Sequence, residues 1–213
     1  MNQSFGKRLY DVGWAGLGLA VLSPVLALIG LLVKLADGGP VVFRQLRVGQ
    51  GGRLFWICKF RTMIVTAEQH GPGVTRDGDA RITRLGRWLR KTKLDELPQL
   101  WNVLVGDMSF VGPRPELPRY VARYTAAQRE ILRFKPGITD LATLAFRKEE
   151  DFLAAAADVE SFYLEHCVAR KIELNLRYQA HANLWRDTGI ILRTLLVRDE
   201  PQPARDTAPE GTV

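Results

Sequence analysis

Cysteine and histidine are scarce in this chain of 213 residues, which has two of the first and three of the second. Cys58 and Cys167 stand far apart with no C-x-x-C pair, and His70, His166 and His181 show no H-E-x-x-H or other ligand spacing. A zinc centre and a disulfide framework are therefore excluded as organising devices, and a reducing compartment is expected for the folded part. Nucleotide fingerprints are missing as well. No P-loop and no G-x-G-x-x-G turn occurs, and Gly49-Gln50-Gly51-Gly52 reads as an ordinary turn. There is no internal repeat, and the length suits one domain with a sizeable core and no second enzyme domain.

Acidic side chains are outnumbered: 23 Asp and Glu face 30 Lys and Arg, for a formal charge of +7. Such a balance asks for an anionic partner, whether nucleic acid, an anionic bilayer or a phosphorylated substrate. Charge of either sign is absent from Val12 to Val33. A run of about 22 residues is long enough to cross a hydrocarbon core of ~30 Å as a helix. It exceeds the h-region of a signal peptide, and no convincing A-x-A cleavage site follows it. Nucleic acid is not expected as a partner, because that reading accounts for neither this run nor the absence of any recognition fingerprint.

The flanks of the run carry the topology. Lys7 and Arg8 precede it, while Lys34, Arg44 and Arg47 follow, so the positive-inside rule places both ends on the cytoplasmic side. A straight spanning helix cannot satisfy that, and one that bends at its middle and returns can. Ser23-Pro24 sits near the middle, where the proline removes a backbone hydrogen bond and the serine hydroxyl is available to the freed group. Proline also kinks ordinary spanning helices, so the residues alone leave both topologies open.

Further along, Val41–Phe43 and Leu54–Phe60 read as two strands of a hairpin. Thr66 to Ala80 reads as a surface loop rather than a lid. Arg81 to Leu94 is an amphipathic helix, with Ile82, Leu85, Trp88 and Leu89 on one face and arginines on the other, suited to a headgroup layer or to a core. Helices are expected over Val121–Phe134, Glu149–Ala156 and Val159–Leu176. Leu184, Trp185, Ile191, Leu192, Leu195 and Leu196 form an apolar stripe for core or lipid. From Asp199 onward a disordered tail is expected.

The densest chemistry lies in Lys93-Leu94-Asp95-Glu96-Leu97-Pro98-Gln99-Leu100-Trp101-Asn102 and, after a few residues, Gly112-Pro113-Arg114-Pro115. Adjacent carboxylates can divide a phosphoryl transfer, one attacking phosphorus while the other holds a metal. An arginine between prolines offers a stiff fork for phosphate. Taken alone, Asp-Glu is a common dipeptide at helix starts, and Arg114 also suits a surface salt bridge. Lys59 and Arg61 alternate about Phe60, which places both on one strand face, available to a pyrophosphate or to the membrane helix.

Together with Ser23-Pro24, Phe43-Arg44-Gln45, Lys59-Phe60-Arg61-Thr62-Met63, Arg81-Ile82-Thr83-Arg84-Leu85-Gly86 and Lys135-Pro136-Gly137-Ile138-Thr139, these blocks resemble the bacterial sugar transferases, the monotopic phosphoglycosyl transferases, over roughly residues 5 to 198. The resemblance implies an α+β, mainly helical fold. It has an N-terminal re-entrant membrane helix (residues 1–36), a short β-hairpin and amphipathic interfacial helices around a compact cytoplasmic catalytic domain (37–198), and then the tail (199–213). It implies transfer of a phosphosugar from a nucleotide diphosphate sugar, with uridine as the base, to polyprenyl phosphate at the bacterial inner membrane, with membrane lipids as partners and a homodimer left open. Asp95 would be the nucleophile, Glu96 the ligand of Mg²⁺, Lys59, Arg61 and Arg114 the substrate-binding cations, and Ser23, Pro24 and Arg90 the supports of the membrane element. Two departures stand out. Asp140-Leu141-Ala142 follows Thr139 where many members continue Gly-Trp-Ala, and Asn175 stands where an Asp is expected. The alternative reading is a basic membrane-bound scaffold or lipid-binding member without turnover.

Overall fold

The computed structural model describes residues 4–67, 75, 78–146 and 158–196. The uncharged run becomes the middle of α1 (Phe5–Asp37), a helix of 33 residues. Ser4 opens it by accepting from the Lys7 N–H, and Gly38, at φ +73°, closes it by donating to the Lys34 carbonyl. Pro24 has no N–H for the Ala20 carbonyl one turn back, and the Ser23 hydroxyl donates to that carbonyl at 2.8 Å instead. The helix therefore continues through the Ser-Pro pair.

Only a narrow stripe of α1 is buried: Asp11, Ala15, Ile29 and Val33. Ala15 joins Phe55, Ile57, Val103 and Met108 in one apolar cluster, and Ile29 and Val33 join Phe60 and Leu89 in another. Leu9, Trp14, Leu17, Val21, Leu28 and Leu31 are exposed, on a helix long and apolar enough to cross a membrane. Both ends of α1 are tied to the same body. Arg8 donates to the Val103 and Leu104 carbonyls at 2.6 and 2.8 Å, and Lys7 pairs with Asp187; at the far end Asp37 pairs with Arg61.

A hairpin follows, β1 (Val42–Val48) antiparallel to β2 (Leu54–Phe60), with Phe43 opposite Lys59 and Arg44 opposite Cys58. β1 is longer than the Val41–Phe43 expected. The polar residues Arg44, Gln45 and Arg47 hide a strand that pairs along the whole of β2. Next come α2 (Arg84–Thr92), a 3₁₀ turn (Leu94–Glu96) and α3 (Gln99–Val105). In α2, Leu89 is fully buried as its spacing predicts, whereas Trp88 turns half outward beside the arginines.

β3 (Ser109–Val111) pairs in parallel with β4 (Gly137–Thr139). The two backbones approach so closely that a Cβ on Gly112 would lie 2.3 Å from the Lys135 carbonyl oxygen, and one on Gly137 would lie 2.1 Å from the Gly112 nitrogen. Only glycine fits either place. Between them lie α4 (Pro118–Val121), α5 (Ala126–Arg129) and a 3₁₀ turn (Glu130–Arg133). This corrects the single helix expected over Val121–Phe134. Thr125 and Gln128 form a capping box that starts a new helix there, and a helix N-terminus inside the stretch prevents one continuous run.

The remaining described elements are helical: α6 (Leu141–Ala145), α7 (Val159–Phe162), a π-helical turn (Tyr163–Val168), α8 (Ala169–Gln179) and α9 (Leu184–Leu196). The helix expected over Val159–Leu176 is thus present and runs three residues further. α9 buries Asp187 and Ile190, so the apolar stripe with Trp185, Leu192, Leu195 and Leu196 faces away from the core. The fold is mainly helical with a short hairpin, as expected. The Glu149–Ala156 helix, most of the loop from Thr66 to Ala80 and the tail from Asp199 lie outside the described residues.

Candidate active site

Lys93 decides where the paired carboxylates go. At φ +59° it is the one described non-glycine residue in the left-handed region; it ends α2 and turns the chain at once into the Leu94–Glu96 turn. Leu94 packs against the cluster of Ile29, Val33, Phe60 and Leu89, which seats the turn beside the C-terminal half of α1. Asp95 is 7% exposed, and its Oδ1 is buried without a hydrogen-bond partner among the described residues. Glu96 Oε1 accepts from Lys59 Nζ at 2.7 Å and from Arg114 Nη2 at 2.9 Å.

The two neighbours are pushed in opposite directions. Burial raises the Asp95 carboxyl above the usual range and the Glu96 charge adds to that, against the pull of Lys59, Arg90 and Lys93. Burial works against the Glu96 charge as well, but Arg114 and Lys59 together outweigh it and hold Glu96 well below the usual carboxylate range. Burial, aided by Arg114, lowers Lys59 to about 8 in spite of Glu96. The Glu96 charge raises Arg114 further, so this guanidinium keeps its proton.

Arg114 arrives from a different part of the chain. Its backbone N–H donates to Asp140 Oδ2 at 3.0 Å, and the same oxygen accepts from Asn175 Nδ2 at 2.8 Å. The other oxygen of Asp140 accepts from the Thr143 N–H. The two departures noted in the sequence are thus a single contact. An aspartate at position 175 would set carboxylate against carboxylate inside a buried pair, whereas the amide donates.

Asp95, Glu96, Lys59 and Arg114 are brought together. Arg61 is not: buried just beyond β2, it pairs with Asp37 and donates to the Val33 carbonyl, fastening the end of α1. The strand ends at Phe60, so the alternation that would have put Arg61 beside Lys59 stops one residue short. Arg90 donates to the Thr62 hydroxyl at 3.0 Å, one residue on from Arg61, while Leu85 and Leu89 of α2 pack with Ile29 and Val33 of α1. Ser23 and Pro24 lie at the exposed middle of α1. Sequence reasoning missed the part of Asp140, which stood out only as a departure, and that of Asn102 of α3. The Asn102 Oδ1 accepts from Cys58 N–H at 2.9 Å and its Nδ2 donates to the Trp56 carbonyl at 2.8 Å. No group of three or more His, Cys, Asp or Glu side chains gathers among the described residues, so a cation here would depend on the two carboxylates and on oxygens of a ligand.

The model of the bacterial sugar transferase family matches residues 2–198, and the chain belongs to that family. It is 40% identical over 202 residues to the UDP-glucose:undecaprenyl-phosphate glucose-1-phosphate transferase of Caulobacter vibrioides, covering 89% of this chain and 68% of that protein. It is 39% identical over 197 residues to the UDP-N-acetylgalactosamine-undecaprenyl-phosphate N-acetylgalactosaminephosphotransferase of Aeromonas hydrophila, covering 90% of this chain and 43% of that one. A third relative, the UDP-glucose:undecaprenyl-phosphate glucose-1-phosphate transferase of Escherichia coli, is 37% identical over 193 residues, 89% of this chain and 39% of its own length. The chain thus spans less than half of two of these relatives and about two thirds of the other. By their names all three are phosphoglycosyl transferases.

Proposed function

We propose that this chain transfers a sugar 1-phosphate from a UDP-sugar to undecaprenyl phosphate at the bacterial inner membrane, through a phosphosugar carried on Asp95. The observation that carries the reading is the inequality of the two carboxylates. Glu96 is kept ionised by two cations, while Asp95, one residue away, is buried with an unpartnered oxygen.

In this reading an Asp95 oxygen attacks the sugar-bearing phosphorus of the donor, the bond from that phosphorus to the UMP oxygen breaks, and UMP leaves. An oxygen of the lipid phosphate then attacks the same phosphorus and releases Asp95 as a carboxylate. Arg114 and Lys59 neutralise the phosphoryl oxygens in both displacements. A carboxyl with a raised pKa is the more basic nucleophile of the pair, and bound cationic charge favours its ionised form. Mg²⁺ fits the donor set, since two hard carboxylates plus substrate phosphate oxygens are ligands it prefers. Glu96 is the main candidate to hold it, because two protein cations meeting its Oε1 keep it ionised. When bound, the ion would spread the charge that develops on the phosphates.

The membrane element follows from α1. Its exposed apolar flank suits lipid, and its ends are fastened to one body, which favours the re-entrant topology with the catalytic domain on the cytoplasmic face. In that arrangement residues 1–36 form the membrane element and 37–198 the catalytic domain. A scaffold without turnover gives the buried Asp95 oxygen no role.

The test is UMP release by detergent-purified protein with Mg²⁺, polyprenyl phosphate and a panel of UDP-sugars that includes glucose and N-acetylgalactosamine. Release from one donor, abolished in Asp95→Asn, is expected. Turnover retained by Asp95→Asn would overturn the covalent role.

A further inference from the structure

Two strands make a sheet with two open edges, and the hydrogen-bonding groups on such an edge need partners when they are buried. On the edge of β2 away from β1, one side chain supplies both. Asn102, 2% exposed, takes the Cys58 N–H with its carbonyl oxygen and gives its amide hydrogen to the Trp56 carbonyl, at 2.9 and 2.8 Å. Its planar amide thus stands in for a neighbouring strand over the residues just before Lys59. The backbone carbonyl of Asn102 is engaged too, accepting from the N–H groups of Gly106 and Met108 at 3.2 and 3.1 Å, where α3 turns toward β3.

Three parts of the active-site frame therefore meet at one residue. α3 follows the carboxylate turn directly, β2 carries Lys59, and β3 leads into the Gly112–Pro115 turn that carries Arg114. Lys59 and Glu96 are 37 positions apart in the chain, and their 2.7 Å contact requires the backbones beneath them to be docked in a fixed register. We propose that Asn102 is a positioning residue of the transfer reaction: its amide locks β2 to α3 and so sets Lys59 on Glu96. The proposal rests on the reaction assigned above to Asp95 and Glu96.

Replacing the amide tests it. Asn102→Ala removes both hydrogen bonds, and Asn102→Leu removes both while keeping the branched side-chain shape, so it serves if the first variant does not fold. Hydrogen–deuterium exchange of the Cys58 amide, read in the full-length protein, is expected to speed up at least about tenfold in either variant. In the transfer assay kcat is expected to fall by about tenfold or more with KM less affected, since misplacement acts on the aligned state. In a Lys59→Met background the same substitution should cost less than about twofold, because the group it positions is gone.

Unchanged exchange at Cys58 overturns the docking whatever the kinetics. An equal fold-loss in both backgrounds, or a kcat close to wild type, overturns the action through Lys59 and leaves Asn102 a general packing residue. If wild-type protein turns over no UDP-sugar while exchange at Cys58 still rises in the variants, the failure lies with the assigned reaction and not with the docking.

Discussion

Lys59 and Arg114 converge on one oxygen of Glu96, but they differ in how firmly each holds its proton. Arg114 stays charged at any working pH, whereas Lys59 titrates at about 8 because burial and Arg114 both oppose its charge. In the proposed reaction the protonated lysine neutralises phosphoryl oxygens, so kcat/KM should fall by up to about tenfold as the pH rises through that value. The sign for stability is opposite. The folded pKa lies below the ordinary 10.5, so between about 8 and 10.5 the unfolded chain binds more protons and this residue's contribution to stability rises with pH. In Lys59→Arg the alkaline fall should disappear, and a pH–rate profile of both proteins checks it; an unchanged alkaline limb would assign that limb to another group. Asp140 and Asn175 show how a residue's meaning changes once its partner is known. Each is an oddity by itself, and together they are one donor and one acceptor that hold the Arg114 backbone.

At the scale of elements, α1 matters most. The carbonyl that Pro24 orphans is served by Ser23, so the pair interrupts the backbone ladder without leaving a bare acceptor in lipid. Replacing both with alanine restores an ordinary ladder and favours a straight crossing. An N-terminal tag on the Ser23→Ala, Pro24→Ala protein is then expected to move mainly to the side opposite the catalytic domain, as read by an impermeant label on intact spheroplasts. A tag that stays put would show that Arg8, Lys7 and Arg61 hold the ends of α1 by themselves. The α1 segment was legible because so long a run without charge is at home in lipid and in few other surroundings. The break between α4 and α5 was not, since Thr125 and Gln128 look like ordinary helix residues until they are seen bonding each other's backbone.

For the whole molecule, apolar surface is the organising quantity. Besides the flank of α1, the face of α9 with Trp185, Leu195 and Leu196 is 70% or more exposed, and α9 is tied to the start of α1 through Lys7 and Asp187. A second lipid contact there predicts that Leu195→Glu with Leu196→Glu eases extraction from membranes while the unfolding midpoint shifts by no more than about 2 °C, as for exposed sites. A large drop in the midpoint would mean that the stripe packs on protein instead. By itself the sequence determined that a long apolar helix precedes the hairpin and that the chain is strongly basic, and it singled out Asp95-Glu96 and Arg114 as the place for the proposed chemistry. Composition, absence of charge and adjacent residues are properties of the chain that no packing can alter. Only the tertiary structure decided that Lys59 meets Glu96 while Arg61 leaves for α1, that Asp140 and Asn175 form one contact, and that Asn102 closes the edge of β2. Those choices join residues far apart in the chain, and they depend on where strands end and helices dock, which local periodicity does not encode.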